Sequence, residues 1–156
     1  MLTIRRSILH DCCTLKNIIR DEHAKEIERF DGISIERALV MSYSRSDNAY
    51  TFVLNDTLPV FMAGIARDTN GNGIIWGLGS DIIDSYKKEF IRIIDNNFDY
   101  FIKDFDYLYN FIDDSYEIGI RFVEWLGFEI GEAKPQGLNG ELFRMIEWRK
   151  EWQHKL

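Results

Sequence analysis

The stretch IRFVEWLGFE, from Ile120 to Glu129, combines a helix pattern, a glycine and the start of a strand pattern. Apolar side chains recur in it and just before it every three or four positions, which is the spacing of an amphipathic helix. The residues predicted to face inward are Ile118, Phe122, Trp125 and Leu126. Gly127 can take the left-handed conformation that ends a helix, and the strand-like residues from Phe128 follow it. The stretch therefore predicts a helix that stops at a glycine and leads directly into a strand.

Two further elements precede this helix. The run YLYNFI, from Tyr107 to Ile112, is apolar at both alternating sets of positions, as is typical of a central strand covered on both faces. Before it, the residues from Asp81 to Asp104 predict the longest helix of the chain, because their apolar positions form one stripe. The stripe consists of Ile83, Tyr86, Phe90, Ile94, Phe98 and Phe101.

The amino-terminal half predicts one strand, two helices and three more strands. Leu2 to Arg6 alternates like a strand, and helical spacing follows from Asp11 to Ala24 and from Ser34 to Ser44, where Ser34 could cap the helix. The three β-rich runs are Tyr50 to Leu54, Val60 to Ala66 and Ile74 to Gly79. Because Asn, Asp and Gly fill the turns between these runs, they predict an antiparallel meander.

With a last strand from Glu141 to Trp148, the predicted order is β-α-α-β-β-β-α-β-α-β-β. This order predicts an α/β (α+β) fold, with a mixed central sheet of about six to seven strands and helices on both faces. No linker, repeat or low-complexity segment interrupts the chain, so we expect its 156 residues to form one domain, residues 1–156.

Charge and composition narrow the classes of function. The chain is 46% hydrophobic and carries a formal net charge of -7, so we expect a folded protein that repels nucleic-acid phosphates and anionic lipid. No apolar run reaches the ~18 residues needed to span a membrane. One acidic alternative is a decoy that imitates DNA phosphates. The acids of this chain are, however, interleaved with basic and apolar residues instead of forming long runs.

The cysteines and histidines predict no structural bridge and no metal site. Cys12 and Cys13 are adjacent, and neighbouring side chains point in different directions and make a poor disulfide. Free thiols and the lack of a signal-peptide pattern predict a cytoplasmic protein. His10, His23 and His154 are far apart, without the spacing of metal ligands.

The element order, with RFVEWLGFE (Arg121 to Glu129) ending the penultimate helix, resembles the GNAT superfamily of acetyl-CoA-dependent N-acyltransferases. The resemblance covers nearly the whole chain. IIWGLGSD (Ile74 to Asp81), the long helix, YLYNFID and IRFVEWLGFE look more closely like the GNAT-like proteins of tailed phages, a group that includes the podovirus internal virion protein A. The resemblance implies a GNAT fold, a phage or prophage origin and, for an active enzyme, acetyl-CoA as the co-substrate.

The resemblance also implies a coenzyme site where the fourth and fifth strands splay apart. There Gly77 and Gly79 would let a ligand approach the backbone, and the N–H of Leu78 is the predicted donor to the thioester carbonyl. A twisted strand end near a turn accounts for the two glycines equally well. Ser80 and Lys87 would lie near the phosphates, although Ser80 could simply cap the helix and Lys87 could be solvated surface charge.

The chain departs from the family pattern in two places. The Gly-rich phosphate loop is missing after Gly79, where Asp81 and Asp84 stand near the helix start and would repel a pyrophosphate. Val123 occupies the position at which the family usually has the tyrosine that protonates the leaving thiolate. Both departures weaken the expectation of the family's usual chemistry.

Three residues remain as candidates for proton transfer. Tyr116 could replace the missing acid, or it could be a half-buried aromatic residue at the helix start. Asp113 and Asp114 follow a predicted central strand, where sites of α/β proteins gather, and a pair of carboxylates can take a proton from an amine. The two aspartates could equally cap the next helix.

Two functions fit these residues. The first is an N-acetyltransferase in which a small-molecule or protein amine attacks acetyl-CoA directly in a ternary complex. The second is an inactive GNAT fold that serves in phage virion assembly or binds a host protein. Gly77 and Gly79 favour the first, whereas the missing loop and Val123 favour the second. The expected locations are the host cytoplasm or the virion. Association of the chain with further copies of itself is also compatible with the sequence.

Overall fold

Seven strands and five α-helices make up the computed structural model of the chain, which describes residues 1–154. The strands are β1 (Leu2–Arg6), β2 (Ser46–Leu54), β3 (Leu58–Arg67), β4 (Gly73–Gly79), β5 (Tyr107–Asp113), β6 (Glu129–Pro135) and β7 (Leu142–Arg149). The α-helices are α1 (Leu9–Leu15), α2 (Asp21–Asp31), α3 (Ile35–Arg45), α4 (Lys87–Ile102) and α5 (Glu117–Trp125). Short 3-10 helices cover Asp81–Tyr86 and Lys150–His154.

The strands form one mixed sheet in the order β1-β2-β3-β4-β5-β7-β6. Neighbouring strands pair antiparallel except β4 and β5, which run parallel because the chain crosses back through α4 between them. Asn55 and Asp56 take positive φ angles in the tight turn between β2 and β3. The predicted mixed sheet and its antiparallel meander are confirmed.

The parallel pair β4 and β5 is joined only at its amino-terminal end. Within residues 1–154 its bridge pairs are Gly73 with Leu108 and Ile74 with Tyr109, although both strands continue beyond them. Just after the second bridge pair, the side-chain amide of Asn110 in β5 donates a hydrogen bond to the carbonyl of Ile75 in β4 at 2.5 Å. The carboxyl-terminal halves of the two strands diverge from there. We call the gap between residues 76–79 of β4 and residues 111–113 of β5 the fork.

Helices cover both faces of the sheet, as predicted. Leu15 of α1 and Leu39 of α3 pack with Met62 of β3 on one face, which α2 shares and which we call the α2 face. Phe90 of α4 packs against Phe52 of β2 on the other face, which α5 shares and which we call the α4 face. None of the helices described between residues 1 and 154 has the length and apolar character needed to cross a membrane.

The chain between β1 and β2 forms three helices where the sequence predicted two. The predicted helix from Asp11 to Ala24 is wrong, because α1 and α2 are separated at residues 16–20. The break has a physical cause at Arg20, whose N–H bonds to the carbonyl of Gly79 at 2.9 Å instead of extending the α1 hydrogen-bond ladder. This contact fixes the start of α2 to the end of β4.

The predicted helix ends are mostly confirmed. The hydroxyl of Ser34 accepts the N–H of Arg37 and caps α3, and Gly127 has a φ of 101° just after α5. The predicted long helix from Asp81 to Asp104 is divided, because a 3-10 helix precedes α4.

The predicted inward face of α5 is wrong for two of its four residues. Ile118 is 62% exposed and Trp125 is 49% exposed. Instead, Ile120 and Val123 pack on the α4-face core, and this rotation of the helix brings Gly119 against the ring of Tyr116. The sequence pattern fitted both orientations, because apolar residues occur on more than one side of this helix.

Candidate functional site

A cavity of about 730 Å³ surrounds the fork. Residues from both faces of the sheet line it, and we call the part beside α2 the chamber on the α2 face. The carboxyl ends of β4 and β5 and the amino-terminal end of α5 meet at this point. Ligands of α/β proteins commonly bind where neighbouring strands separate in this way.

The start of α2 is held across the mouth of the fork. The N–H of Gly79 donates to Nδ1 of His23 at 3.0 Å, and the carbonyl of Gly79 accepts the N–H of Arg20 at 2.9 Å. The guanidinium of Arg20 also forms an ion pair with Asp84 at 2.7 Å. These contacts bring α2, β4 and the 3-10 helix before α4 together.

His23 is held in one protonation state by its surroundings. It is buried, and burial together with the nearby charge of Arg20 lowers the pKa of its imidazole to about 4. The ring is therefore neutral near neutral pH. Because Nδ1 accepts the Gly79 N–H, the single ring proton lies on Nε2, which is 3.3 Å from the hydroxyl oxygen of Tyr116.

Tyr116 has a hydroxyl proton that is available to a third partner. Its oxygen accepts one hydrogen bond from Arg20 Nη1 at 3.3 Å and a second from His23 Nε2 at 3.3 Å. Two donors fill the oxygen's acceptor positions and leave its own proton for another acceptor. Tyr116 also lines the cavity. Burial raises the pKa of the Tyr116 hydroxyl, so the side chain stays protonated near neutral pH.

Glu26 is the carboxylate of the cavity that titrates near neutrality. It lies on α2, one turn after His23, and one of its oxygens accepts the N–H of Asp113 at 2.9 Å. The pKa of Glu26 is raised to about 7, because burial and the neighbouring charge of Asp113 raise it against the hydrogen bond from the Asp113 N–H, which lowers it. A carboxyl group with such a pKa can both accept and release a proton under ordinary conditions.

The two aspartates predicted as bases are engaged in other contacts. Asp113 is buried, forms an ion pair with Arg29 at 3.2 Å and accepts hydrogen bonds from the backbone and hydroxyl of Ser115. Asp114 forms an ion pair with Arg144 at 2.6 Å. Neither aspartate caps α5 as the alternative predicted, because the N-cap residue is Tyr116 and no side chain bonds to the helix start there. A role for the two aspartates as bases stays a prediction.

Gly77 and Gly79 make room for an aromatic ring. A Cβ built on Gly79 would lie 2.2 Å from the ring of Phe61, and one on Gly77 would lie 2.9 Å from it. The ring comes from β3, lines the cavity and packs against Phe90 of α4. The two glycines thus let the ring of Phe61 lie over β4 at the edge of the fork. This explanation for the glycines was not among those that the sequence suggested.

The backbone of β4 presents alternate residues to the fork. Gly79 bonds to α2 on the fork side, whereas the N–H of Ser80 bonds to the carbonyl of Val60 in β3. Alternation along an extended strand then directs the backbone of Gly77 to the fork and the N–H of Leu78 to β3. The predicted thioester donor, Leu78, does not fit this geometry, and the N–H of Gly77 is the one that faces the fork.

The connection from β4 to α4 carries little that would bind phosphate. Ser80 is buried and its hydroxyl accepts the N–H of Ile82 at 3.0 Å, as an N-cap does. Asp84 lies on the 3-10 helix that follows. Lys87 at the start of α4 and Arg121 on α5 line the cavity, and so does Arg20, which is paired with Asp84. Ser80, predicted near the phosphates, thus acts as a helix cap, as its alternative interpretation had it.

Arg20, His23 and Glu26 were not predicted as site residues from the sequence. His23 and Glu26 lie three positions apart on α2, on the side of the helix that also carries Phe30. Polar residues on an otherwise apolar helix face were the sequence signal that could have identified them. The predicted continuous helix through residue 24 obscured this face. Among the residues that the structure describes, no group of three or more His, Cys, Asp or Glu side chains is arranged to hold a metal ion, and the side chain of His154 lies outside them.

Comparisons with known proteins show a likeness in fold. No protein-family model matches the chain, and no curated protein matches it in sequence. An N-acetyltransferase from Staphylococcus aureus matches with a TM-score of 0.63 and 15% identity, covering 96% of this chain and 97% of that one. A point mutant of the spermidine N-acetyltransferase from Vibrio cholerae matches with a TM-score of 0.68 and 11% identity, covering 99% and 97%.

A third match is a candidate acetyltransferase from Salmonella typhimurium whose structure contains its cofactor acetyl-CoA. Its TM-score is 0.64 at 12% identity, and the alignment covers 95% of this chain and 93% of that one. The three matches include nearly every element of the sheet and its helices. At such identities the likeness concerns the fold.

Proposed function

We propose that this chain, which has the fold of the GNAT N-acetyltransferases, transfers an acetyl group from acetyl-CoA to an amine through an atypical coenzyme site. The observation that carries the proposal is the position of Tyr116, His23 and Glu26 around an open fork between β4 and β5. The acetyl-CoA in the Salmonella structure with this fold supports the choice of co-substrate. Acetyl-CoA supplies the acetyl group as a thioester, which an amine can attack.

The backbone of Gly77 would hold the coenzyme in the fork. Its N–H and carbonyl face the gap, so an extended pantetheine arm can bond to β4 as an added strand would. The N–H of Gly77 would also polarise the thioester carbonyl, a contribution worth about 3 kcal/mol at other enzymes. Lys87 and Arg121 would attract the phosphates, while Asp84 weakens that attraction, so we expect looser binding than a glycine-rich phosphate loop gives.

Glu26 would remove the proton that keeps the incoming amine from reacting. Its pKa of about 7 allows the carboxylate to take this proton from an ammonium ion and to release it to solvent. The freed nitrogen lone pair then forms the new C–N bond as the C–S bond breaks. Because only the ionised Glu26 acts as a base, the rate rises with pH through about 7.

Tyr116 would donate its proton to the sulfur that leaves. Arg20 and His23 donate hydrogen bonds to the tyrosine oxygen, so they orient the O–H and stabilise the negative charge that develops on the oxygen. The second proton of the attacking amine restores the hydroxyl by way of solvent. The products are the acetylated amine and free CoA.

The substitution Tyr116→Phe tests this assignment. The variant keeps the ring beside Gly119 and loses only the hydroxyl, so we expect the rate of CoA release to fall about 100-fold while acetyl-CoA binding stays within a factor of about two. Stopped-flow detection of the released thiol measures the rate. Tyr109→Phe is the matched control, since its hydroxyl bonds to Asp68, and it should leave the rate unchanged. An undiminished rate in Tyr116→Phe would remove the tyrosine from the mechanism.

A second candidate function is a GNAT fold without catalysis that acts in phage virion assembly or binds a host protein. The observation in its favour is the segment after β4, where Ser80 is used as a cap and Asp84 pairs with Arg20, in place of a phosphate loop. This candidate would place the chain in the host cytoplasm or the virion, with a phage or host protein, or a second copy, as partner. Its presence in purified virions, detected by mass spectrometry, supports this candidate, and a catalytic rate with acetyl-CoA contradicts it.

A further inference from the structure

We propose that the acceptor is a monoamine whose amino group is attached by a short linker to an aromatic or similarly bulky apolar group. The inference rests on the proposed function, because it takes the chamber on the α2 face as the place where the amine binds. Three features of the chamber support it: an aromatic wall, the carboxylate next to this wall and the contacts of the other acidic side chains.

The aromatic wall consists of three rings from three elements. Phe30 of α2 packs edge-on against Phe111 of β5 with centroids 5.5 Å apart, and its ring lies 5.1 Å from that of Phe143 in β7. Phe143 stands opposite Asp113 in the β5–β7 register, so its side chain lies on the α2 face. Phe143 is buried, whereas Phe30 and Phe111 are half-buried, and all three rings line the cavity.

Glu26 stands beside this wall. It precedes Phe30 by four positions on α2, and side chains at this spacing are neighbours with Cβ atoms about 5–6 Å apart. The N–H of Asp113 fixes one carboxylate oxygen and leaves the other for a ligand. An ammonium at Glu26 and an apolar ring at Phe30 would be connected by a linker of about two carbons, given that spacing.

The other acids that line the cavity are less suited to a second ammonium. Asp84 is paired with Arg20 at 2.7 Å. Asp31 is exposed at the rim and accepts the N–H of Ile33 at 3.3 Å. A polyamine would therefore place its second charge against the aromatic wall or at the exposed rim beside Asp31, where solvent screens an ion pair, whereas an aromatic monoamine fills the wall and pairs its one charge with Glu26.

Calorimetric titration of the full chain without coenzyme tests the inference separately from the proposed function. The ligands are phenethylamine, n-butylamine and spermidine, at about pH 8, where Glu26 is ionised. Burial of the phenyl group predicts that phenethylamine binds about 10–50-fold more tightly than either of the others. Tighter binding of spermidine, or no heat with any amine at millimolar concentration, would overturn the inference. Neither result would affect acetyl-CoA binding, on which the proposed function depends.

Variants locate the binding to the wall. Phe30→Ala should reduce the preference for phenethylamine over butylamine to less than about threefold, because the ring loses its partner. Phe30→Leu, which keeps apolar volume in the core, should retain an intermediate preference, and it serves if the alanine variant does not fold. Tyr100→Ala, which removes an exposed ring at the far end of α4, is the control and should change nothing. An unchanged preference in both Phe30 variants would show that the amine binds elsewhere.

Discussion

At the scale of single residues, the site depends on two titratable side chains of α2 whose pKa values are shifted in opposite ways. His23 is kept neutral by burial and by the charge of Arg20, whereas Glu26 is kept partly protonated by burial and by the charge of Asp113, against the hydrogen bond from the Asp113 N–H. Both shifts lower the charge inside the cavity, as a partly dry site requires. They also leave a neutral imidazole to orient Tyr116 and a carboxylate poised to accept a proton.

The shifts predict how stability depends on pH. Glu26 keeps its proton to about pH 7 in the folded chain but loses it near its ordinary value of 4.5 when unfolded, so its contribution to the unfolding free energy falls as pH rises between these values. His23 acts in the opposite direction. Its pKa drops from 6.5 to about 4 on folding, so its contribution is complete above 6.5 and is lost as pH falls toward 4.

The substitution Glu26→Gln separates these two contributions. Removing the carboxylate should raise the unfolding free energy by about 1–2 kcal/mol at about pH 8 and change it little at about pH 4, where the carboxyl group is already protonated. Urea denaturation at both pH values measures the difference. The exposed Glu28→Gln on the same helix is the control. Equal stability of wild type and Glu26→Gln at the higher pH would contradict the raised pKa.

Residue roles were harder to predict than residue positions. Tyr116 and Ser80 line the cavity, but the direction of the Leu78 N–H depends on which edge of β4 bonds to β3. That edge is set by partners far away in sequence. For the same reason the sequence did not reveal that Phe61 explains the two glycines, because a ring from another strand leaves no local pattern.

At the scale of elements, one buried carboxylate connects the first helix to the first two strands. Asp11 of α1 accepts two hydrogen bonds from Arg5 of β1 at 2.8 and 2.9 Å, one from the N–H of Ile8 and one from the hydroxyl of Thr51 in β2. The guanidinium and these hydrogen bonds lower the pKa of Asp11 against the effect of burial, which alone would raise it. The carboxylate thus fixes α1 to the first two strands of the sheet.

The substitution Asp11→Ala should therefore destabilise the chain strongly. It leaves Arg5, Thr51 and the N–H of Ile8 without their acceptor, and we expect the unfolding free energy to fall by about 2–4 kcal/mol. Asp47→Ala, which breaks an ion pair with Arg67 between half-exposed side chains, should cost less than about 1 kcal/mol. Chemical denaturation compares the two, and similar losses for both variants would contradict the structural role of Asp11.

Most element types were predictable because the periods of the apolar residues are local. The stripe of α4, the doubly apolar β5 and the glycine after α5 fix type and order with little tertiary information. The division between α1 and α2 was not predictable. It depends on Arg20 leaving the helix to bond Gly79 across the sheet, a contact formed only once β4 is in place.

At the scale of the whole molecule, we propose that the coenzyme and the amine bind on opposite faces of the sheet and meet at the fork. Phe61, Lys87 and Arg121 line the cavity where we propose that the coenzyme lies, and Glu26 and Phe30 line the part that would take the amine. The two ligands would meet at Tyr116, which the cavity includes. Direct transfer between them then needs no intermediate bound to the protein.

The measurement that tests this account most directly is a calorimetric titration with acetyl-CoA, compared with S-acetyl pantetheine. The account predicts that acetyl-CoA binds with a Kd below about 100 µM. It also predicts that S-acetyl pantetheine binds no more than about tenfold more weakly, because Gly77 and the fork hold the pantetheine and the segment after β4 adds little. No heat with either ligand at millimolar concentration would contradict the central claim that the fork is a coenzyme site.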